Sequence, residues 1–284
     1  MNFVREPAVS GMFYPDSPTK LRKDIEIYLR NAVVPDLEDN IIGIISPHAG
    51  YMYSGQVAAY GFRMIEKRPY DTVILIGPSH RAYFDGVALW DRGSFETPLG
   101  RIDIDEDIAR DIVNVGGIIK PNMDTHRGEH SLEVQLPFLQ SVLDDFKIIP
   151  LIMGIQTSSA CRELVQTISK ILRDSKKKFL IVGSTDLSHY YPYADAKKLD
   201  DVIVGRLDTF NIPGIIEDIE TGKTEACGAG PIIATMMLSE KLGADHGRVL
   251  KYANSGDVSG DKSGVVGYVS AVFCGKQQNE RGMP

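Results

Sequence analysis

The 284-residue chain has little of several things, and each scarcity excludes a class of protein. It has three cysteines, Cys161, Cys227 and Cys274. An odd, sparse set is not a disulfide framework, so each thiol is read separately, as a small buried hydrophobe or as a reactive group. It has no excess of positive charge: 31 Lys and Arg stand against 38 Asp and Glu, a formal net charge of -7. Nucleic acid is therefore not expected as a partner, because phosphate binding needs a positive footprint. The one basic run, Lys176-Lys177-Lys178, reads as a solvated turn. No apolar run is long enough to span a bilayer, and Met1 to Pro7 has no apolar core of the secretory type. The expectation is a cytoplasmic protein with no membrane partner. No repeat, low-complexity segment or Pro/Gly/Ser-rich linker divides the sequence, which predicts one domain over residues 1–275 and a polar tail over 276–284. The polar loop Asn254 to Asp261 lacks both the closing glutamate of a calcium loop and the lysine of a phosphate-binding loop. It is read as a structural loop near the pocket, and no nucleotide cofactor is expected.

What the chain does have is an ordinary globular composition, 43% hydrophobic and 24% charged, and an alternation of strands with helices. Ile41 to Ile45, Thr72 to Ile76, Ile148 to Met153 and Phe179 to Gly183 are short apolar runs of buried-strand type. Pro150 predicts an edge or a strand end for the third of these. Helices are expected over Gly55–Lys67, Glu106–Val115, Ser131–Leu143, Ser159–Asp174, Ala194–Thr209, Pro213–Thr221 and Gly230–Leu242. Gly86 to Asp105 reads as a β excursion, and Val249–Ala253 and Val265–Phe273 as closing strands. Strands separated by helices imply an α/β fold with a mixed, mostly parallel sheet covered on both faces. In such sheets ligands bind beyond the carboxyl ends of the strands.

Three of these strands run straight into a histidine-bearing loop: Ser46-Pro47-His48, Gly77-Pro78-Ser79-His80, and Ser184-Thr185-Asp186-Leu187-Ser188-His189. Taken singly, each histidine is better read as a satisfied core or loop residue. Three repeats of one placement reverse that reading, because parallel strand ends lie along a single edge. A histidine cluster in a cleft is a metal site or an acid–base site. Cys227 precedes the helix opened near Gly230, where amide dipoles are expected to lower a thiol pKa. Cys161 and Cys274 are read as buried, inert thiols. Glu129 and His130 are candidates for the layer behind a metal or for the pocket wall, the alternative being that the acids near Ser131 cap a helix. Asp186 either orients a histidine or a substrate group, or caps a turn. Tyr51, Tyr53, Tyr190 and Tyr191 flank the histidine loops and are read as pocket lining or as packing.

The order of motifs resembles the Memo-like family over nearly the whole chain. The residues that carry the resemblance are Arg5 to Pro15, Pro47-His48-Ala49-Gly50-Tyr51, Tyr53-Ser54-Gly55, Gly77-Pro78-Ser79-His80, Glu129 to Leu139, Ser184 to Tyr190, Cys227-Gly228 and the Tyr252 to Tyr268 region. The family is also described as the second component of a bacterial and archaeal three-gene system, so proteins of that system are possible partners. The resemblance implies a fold similar to class III extradiol ring-cleavage dioxygenases, which hold Fe(II) with two histidines and a glutamate. It implies that His48, His80 and Cys227 hold one transition metal here, that His189 is the acid–base group, and that Asp186 and Glu129 or His130 line the same pocket. A thiolate in place of a carboxylate softens the site toward Cu, Zn or thiolate-bound iron and places an oxidisable ligand there. Metal-dependent redox chemistry or metal binding is the leading expectation. A non-catalytic module that holds a small molecule or peptide in the same pocket is the second. A hydrolase with Cys227 as nucleophile is the weakest, for want of a nucleophile motif.

Overall fold

The structure is a computed structural model and describes residues 3–37 and 39–276. In chain order, β1 (Val4–Arg5) precedes α1 (Pro18–Asn31), β2 (Asn40–Ser46), α2 (Tyr51–Met64) and β3 (Thr72–Pro78). The excursion β4 (Val87–Leu89), β5 (Ser94–Thr97) and β6 (Gly100–Asp103) leads to α3 (Glu106–Val115), β7 (Ile119–Pro121) and α4 (Met123–Arg127). A 3-10 turn, Glu133–Gln135, opens α5 (Leu136–Val142), followed by β8 (Lys147–Met153), α6 (Ser158–Arg173), β9 (Phe179–Ser184) and β10 (His189–Tyr191). The chain continues through α7 (Tyr193–Asp208), α8 (Ile212–Glu220), α9 (Ala229–Lys241), β11 (His246–Asn254), α10 (Ser255–Ser259) and β12 (Val265–Gly275). The tail expected from residue 276 falls, apart from the exposed Lys276, outside the described residues.

The main sheet runs β10-β12-β2-β9-β3-β8-β4-β7, with β11 also paired to β12. Its centre, β2, β9, β3 and β8, is parallel, and β12 and β4 join it antiparallel. This is the expected mixed α/β sheet. The central strands are apolar through their middles and buried from their second residue onward because both of their faces are covered. Two adjacent residues of β2 show how. A Cβ on Gly43 would fall 2.2 Å from Ser239 Oγ of α9, while Ile44 meets Gly61 of α2. Neighbouring strand residues point to opposite faces, so α9 and α2 lie on opposite sides of the sheet. The lack of a side chain at Gly43 is what lets α9 approach so closely. Within the excursion, β5 and β6 form a separate three-stranded sheet with β1. No helix among the described residues is long and apolar enough to cross a membrane.

Two expectations about elements are corrected. Pro150 does not sit at an edge, since β8 pairs with β3 on one side and β4 on the other. The β4 ladder ends at Leu89 opposite Leu151, and the next residue, Trp90, donates its N–H to the Pro150 carbonyl. The N and C=O of one strand residue point the same way, so the proline's missing N–H faces the place where β4 pairing stops. The helix expected over Ser131–Leu143 is also broken. Ser131 caps nothing there: its N–H goes to Glu129 Oε1 and its hydroxyl to the Pro78 carbonyl, and regular α-helix starts only at Leu136, with Pro137 in its first turn. Helix α1 was not anticipated, although Ser17 caps it, Pro18 opens it, and Leu21, Ile25 and Leu29 form its buried stripe.

Candidate metal centre

The carboxyl ends of β2, β3 and β9 deliver His48, Ser79-His80 and Thr185-Asp186 to one edge, as parallel pairing requires. The His48 and His80 ring centroids are 5.0 Å apart, those of His48 and His130 5.4 Å, and those of His80 and His130 4.6 Å. One nitrogen from each of the three rings lies within 4.8 Å of the others. Cys227 Sγ lies 3.1 Å from His48 Nε2. His130 therefore stands among the converging nitrogens, closer in than a supporting residue would be, and it also packs against Phe13.

The hydrogen bonds behind these rings fix which nitrogen is free. Ser184 Oγ donates its one hydrogen to the Ser131 carbonyl at 2.6 Å, so its lone pairs must receive Gln135 Nε2 at 2.8 Å and His48 Nδ1–H at 3.0 Å. The buried Glu129 carboxylate accepts the His80 amide on Oε2 and His80 Nδ1–H on Oε1 at 2.9 Å. Both imidazoles are thus held with a proton on Nδ1 and with Nε2 uncommitted to these partners, the arrangement by which proteins orient histidine ligands. Glu129 also accepts the His130 and Ser131 amides, and Arg5 donates to its carbonyl from beneath.

The electrostatics agree. Burial, then the neighbouring His80 and His130, hold His48 well below the ordinary imidazole range. His130 is brought down to about 4 by burial, with His80 and Arg81 acting the same way against the pull of Glu129. Burial pushes Glu129 up, but the hydrogen bonds and charge of His80 and the Ser131 amide outweigh it and hold the carboxylate at about 2. Burial raises Asp186 to about 6, against the His48 and Ala49 amides and His189. Asp186 Oδ1 accepts the His48 amide at 2.8 Å, and Oδ2 lies 3.9 Å from His48 Nε2. His48 and His130 accordingly stand neutral at pH 7.

The expected lowering of the Cys227 pKa is reversed. Burial, then the Asp186 carboxylate, push the thiol up. The amides at the start of α9 are engaged elsewhere, Gly228 N–H by Thr185 Oγ1 and Gly230 N–H by Gln156 Oε1, so the helix end does little for the sulfur. Sγ accepts the Asp186 amide at 3.2 Å. This seating depends on Gly228, where a Cβ would fall 2.5 Å from the Ser184 carbonyl and hold the Cys227 loop away from β9. His189 is half-buried, and its Nδ1–H donates to the Leu187 carbonyl at 2.8 Å, which leaves Nε2 free. Tyr51 does not present its hydroxyl to the site. That hydroxyl donates to the Val134 carbonyl, and its ring packs with Tyr14, Tyr28 and Phe138. Tyr53 is partly exposed on the first turn of α2. Ser184, Gln135 and Gln156 were not singled out from the sequence as parts of this site. The one signal for Ser184 was its place two residues before Asp186 in the same strand-end motif.

The donor set suits a transition metal: three imidazoles converge, from the buried His48 to the exposed His80, the half-buried Cys227 thiol stands beside His48, and buried acceptors lie behind. Comparison with known proteins agrees with the family resemblance. The chain is 38% identical over 278 residues to a MEMO1 family protein of Methanopyrus kandleri, covering 95% of this chain and 98% of that one. It is 39% identical over 270 residues to one of Methanosarcina barkeri, covering 95% and 99%. Its fold is similar to that of an uncharacterised Escherichia coli K12 protein, with a TM-score of 0.51 at 10% identity over 82% of this chain and 99% of the other. Residues 5–272 match the family model described as Memo-like protein, and the chain belongs to the Memo-like family.

Proposed function

We propose that this chain binds one transition metal through His48, His80 and Cys227 and uses it in redox chemistry on a small molecule. The observation that carries the reading is the tautomer lock. Ser184 and Glu129 hold the Nδ1–H groups of His48 and His80, which leaves the Nε2 side of each ring uncommitted, and Cys227 Sγ lies 3.1 Å from His48 Nε2. The thiol favours copper or iron, with zinc a poorer match to a redox role. A bound metal supplies a Lewis acid with open coordination positions and, for iron or copper, a one-electron couple. Around it the chain's own groups divide the work. His189, with Nδ1 fixed on Leu187, offers Nε2 as a proton acceptor. Asp186, which titrates at about 6, holds the His48 amide and can carry a proton in the same corner. His130, neutral and stacked on His80, is a fourth donor able to enter the metal's shell or to orient a bound molecule.

The test is elemental analysis of protein purified without oxygen, wild type beside Cys227→Ala and His80→Ala. About one iron or copper per chain, lost in both variants, supports the reading. A wild type that stays empty after supply of iron, copper and zinc overturns it. A second reading, a module that holds a peptide or small molecule without turnover, is favoured by the exposed Met12, Met52, Tyr53 and Tyr190 on segments beside the histidines. On that reading a ligand binds equally well to metal-loaded and metal-free protein.

A further inference from the structure

On the face of the sheet covered by α9, helices α6 and α9 pack side by side, both starting at the Cys227 end. Between their outer surfaces lies a groove of about 450 Å³. Its floor is apolar, with the buried Val165 and the half-buried Met237. Its rim is made of four cations, Arg162, Lys170 and Arg173 from α6 and Lys241 from α9. The three on α6 are spaced i, i+8 and i+11, which places them along one stripe of the helix about 17 Å long. Arg173 is steadied by its Nε–H on the Ser169 carbonyl, which leaves its terminal nitrogens for another group. Among the described residues none of the four is ion-paired, and no acidic side chain lines the groove. Glu163 and Glu240, carried on the same two helices, do not face it. This is a local reversal of sign on a chain whose net charge is -7.

Lys170, Arg173 and Lys241 lie in the last turns of α6 and α9, where the helix dipoles favour cations, but four unpaired cations around an apolar floor still repel one another, and an anionic partner with apolar side chains relieves that repulsion and covers the floor. We infer that the α6–α9 groove is a docking surface for an acidic segment of a partner protein that carries aliphatic side chains along its centre. Carboxylates meet the rim and the aliphatic groups meet Val165 and Met237. Guanidinium groups at two of the four rim positions favour carboxylates by bidentate pairing. The surface is distinct from the histidine pocket, and its role does not depend on a metal.

The test uses the full chain and a fluorescein-labelled peptide of about 16 residues, long enough as a helix to span the stripe, with Glu on its flanks and Leu along one face. Fluorescence anisotropy is measured for the wild type and for Arg162→Glu/Lys170→Glu, at low and at moderate salt. Both substituted positions are exposed, and far-UV circular dichroism and metal content report whether fold and pocket are unchanged. Binding by the wild type that weakens about tenfold or more in the variant, and again when Ser replaces Leu in the peptide, supports the proposal. The absence of wild-type binding, or equal binding by wild type and variant, overturns it. So does equal binding of the Ser peptide, which would mean non-specific attraction of anions. Variant-sensitive binding to vesicles containing phosphatidylserine, without binding to the peptide, overturns it in favour of a membrane surface.

Discussion

Glu129 grips His80 at two points, with Oε2 on the backbone amide at 2.6 Å and Oε1 on the ring Nδ1 at 2.9 Å. One buried carboxylate, on the loop after α4, therefore fixes both the backbone position of the histidine that follows β3 and the proton on its Nδ1. The same carboxylate takes the His130 and Ser131 amides, so the loop that carries His130 is built around it.

That relationship predicts the effect of Glu129→Gln. The amide side chain can still accept a hydrogen bond but lacks the charge that strengthens the His80 contact. Metal affinity should fall by about 10- to 100-fold, as for other residues that support metal-bound histidines. Competition with a calibrated chelator measures it. Unchanged affinity would remove Glu129 from the support of the site.

His126 gives a prediction about acid stability away from the metal ligands. Its Nε2–H donates to the Ala88 carbonyl, its Nδ1 is buried without a partner, and burial lowers its pKa to about 3. The unfolded chain binds a proton there below about 6.5 and the folded chain does not, so folding stability falls as pH drops from about 6.5 toward 3. The slope from this one residue approaches about 1.4 kcal/mol per pH unit. His126→Phe should flatten the pH dependence of the denaturation midpoint in that interval, whatever it does to stability at pH 7. A slope equal to wild type would count against the assignment.

Glu133 predicts a large stability effect with no direct role at the metal. It is fully buried, ion-paired with Arg5, and accepts the Ala8 and Val9 amides and the Tyr14 hydroxyl. Arg5 in turn donates to the His126 and Glu129 carbonyls, which ties the N-terminal segment to the loop of the site. Glu133→Gln leaves the Arg5 charge buried without its counter-ion, and should cost about 3–5 kcal/mol in urea denaturation. A loss under about 1 kcal/mol would mean that water reaches Arg5.

Much of the fold was legible because its signals are local. The four central strands are continuous apolar runs, and α3, α6, α7, α8 and α9 lie within a residue or two of where periodicity and capping residues put them. Pro150 misled because a proline's cost in a sheet depends on which neighbour faces its missing N–H, and that neighbour, Trp90, is 60 positions away. The Ser131–Leu143 segment misled because Ser131 is held by Glu129 and Pro78, contacts that compete with helix capping and leave no trace in periodicity.

By itself the sequence determined that an α/β sheet forms and that His48, His80 and Asp186 follow strand ends, because strand and turn chemistry act over a few residues. The tertiary structure alone decided three things. It brought His130 in among the other rings, it used Ser184 and Glu129 to set the histidine tautomers, and it raised the Cys227 pKa where a helix N-terminus had predicted the reverse. Each depends on burial and on partners distant in the chain, and desolvation and hydrogen bonding are properties of the packed neighbourhood rather than of the residue or its spacing.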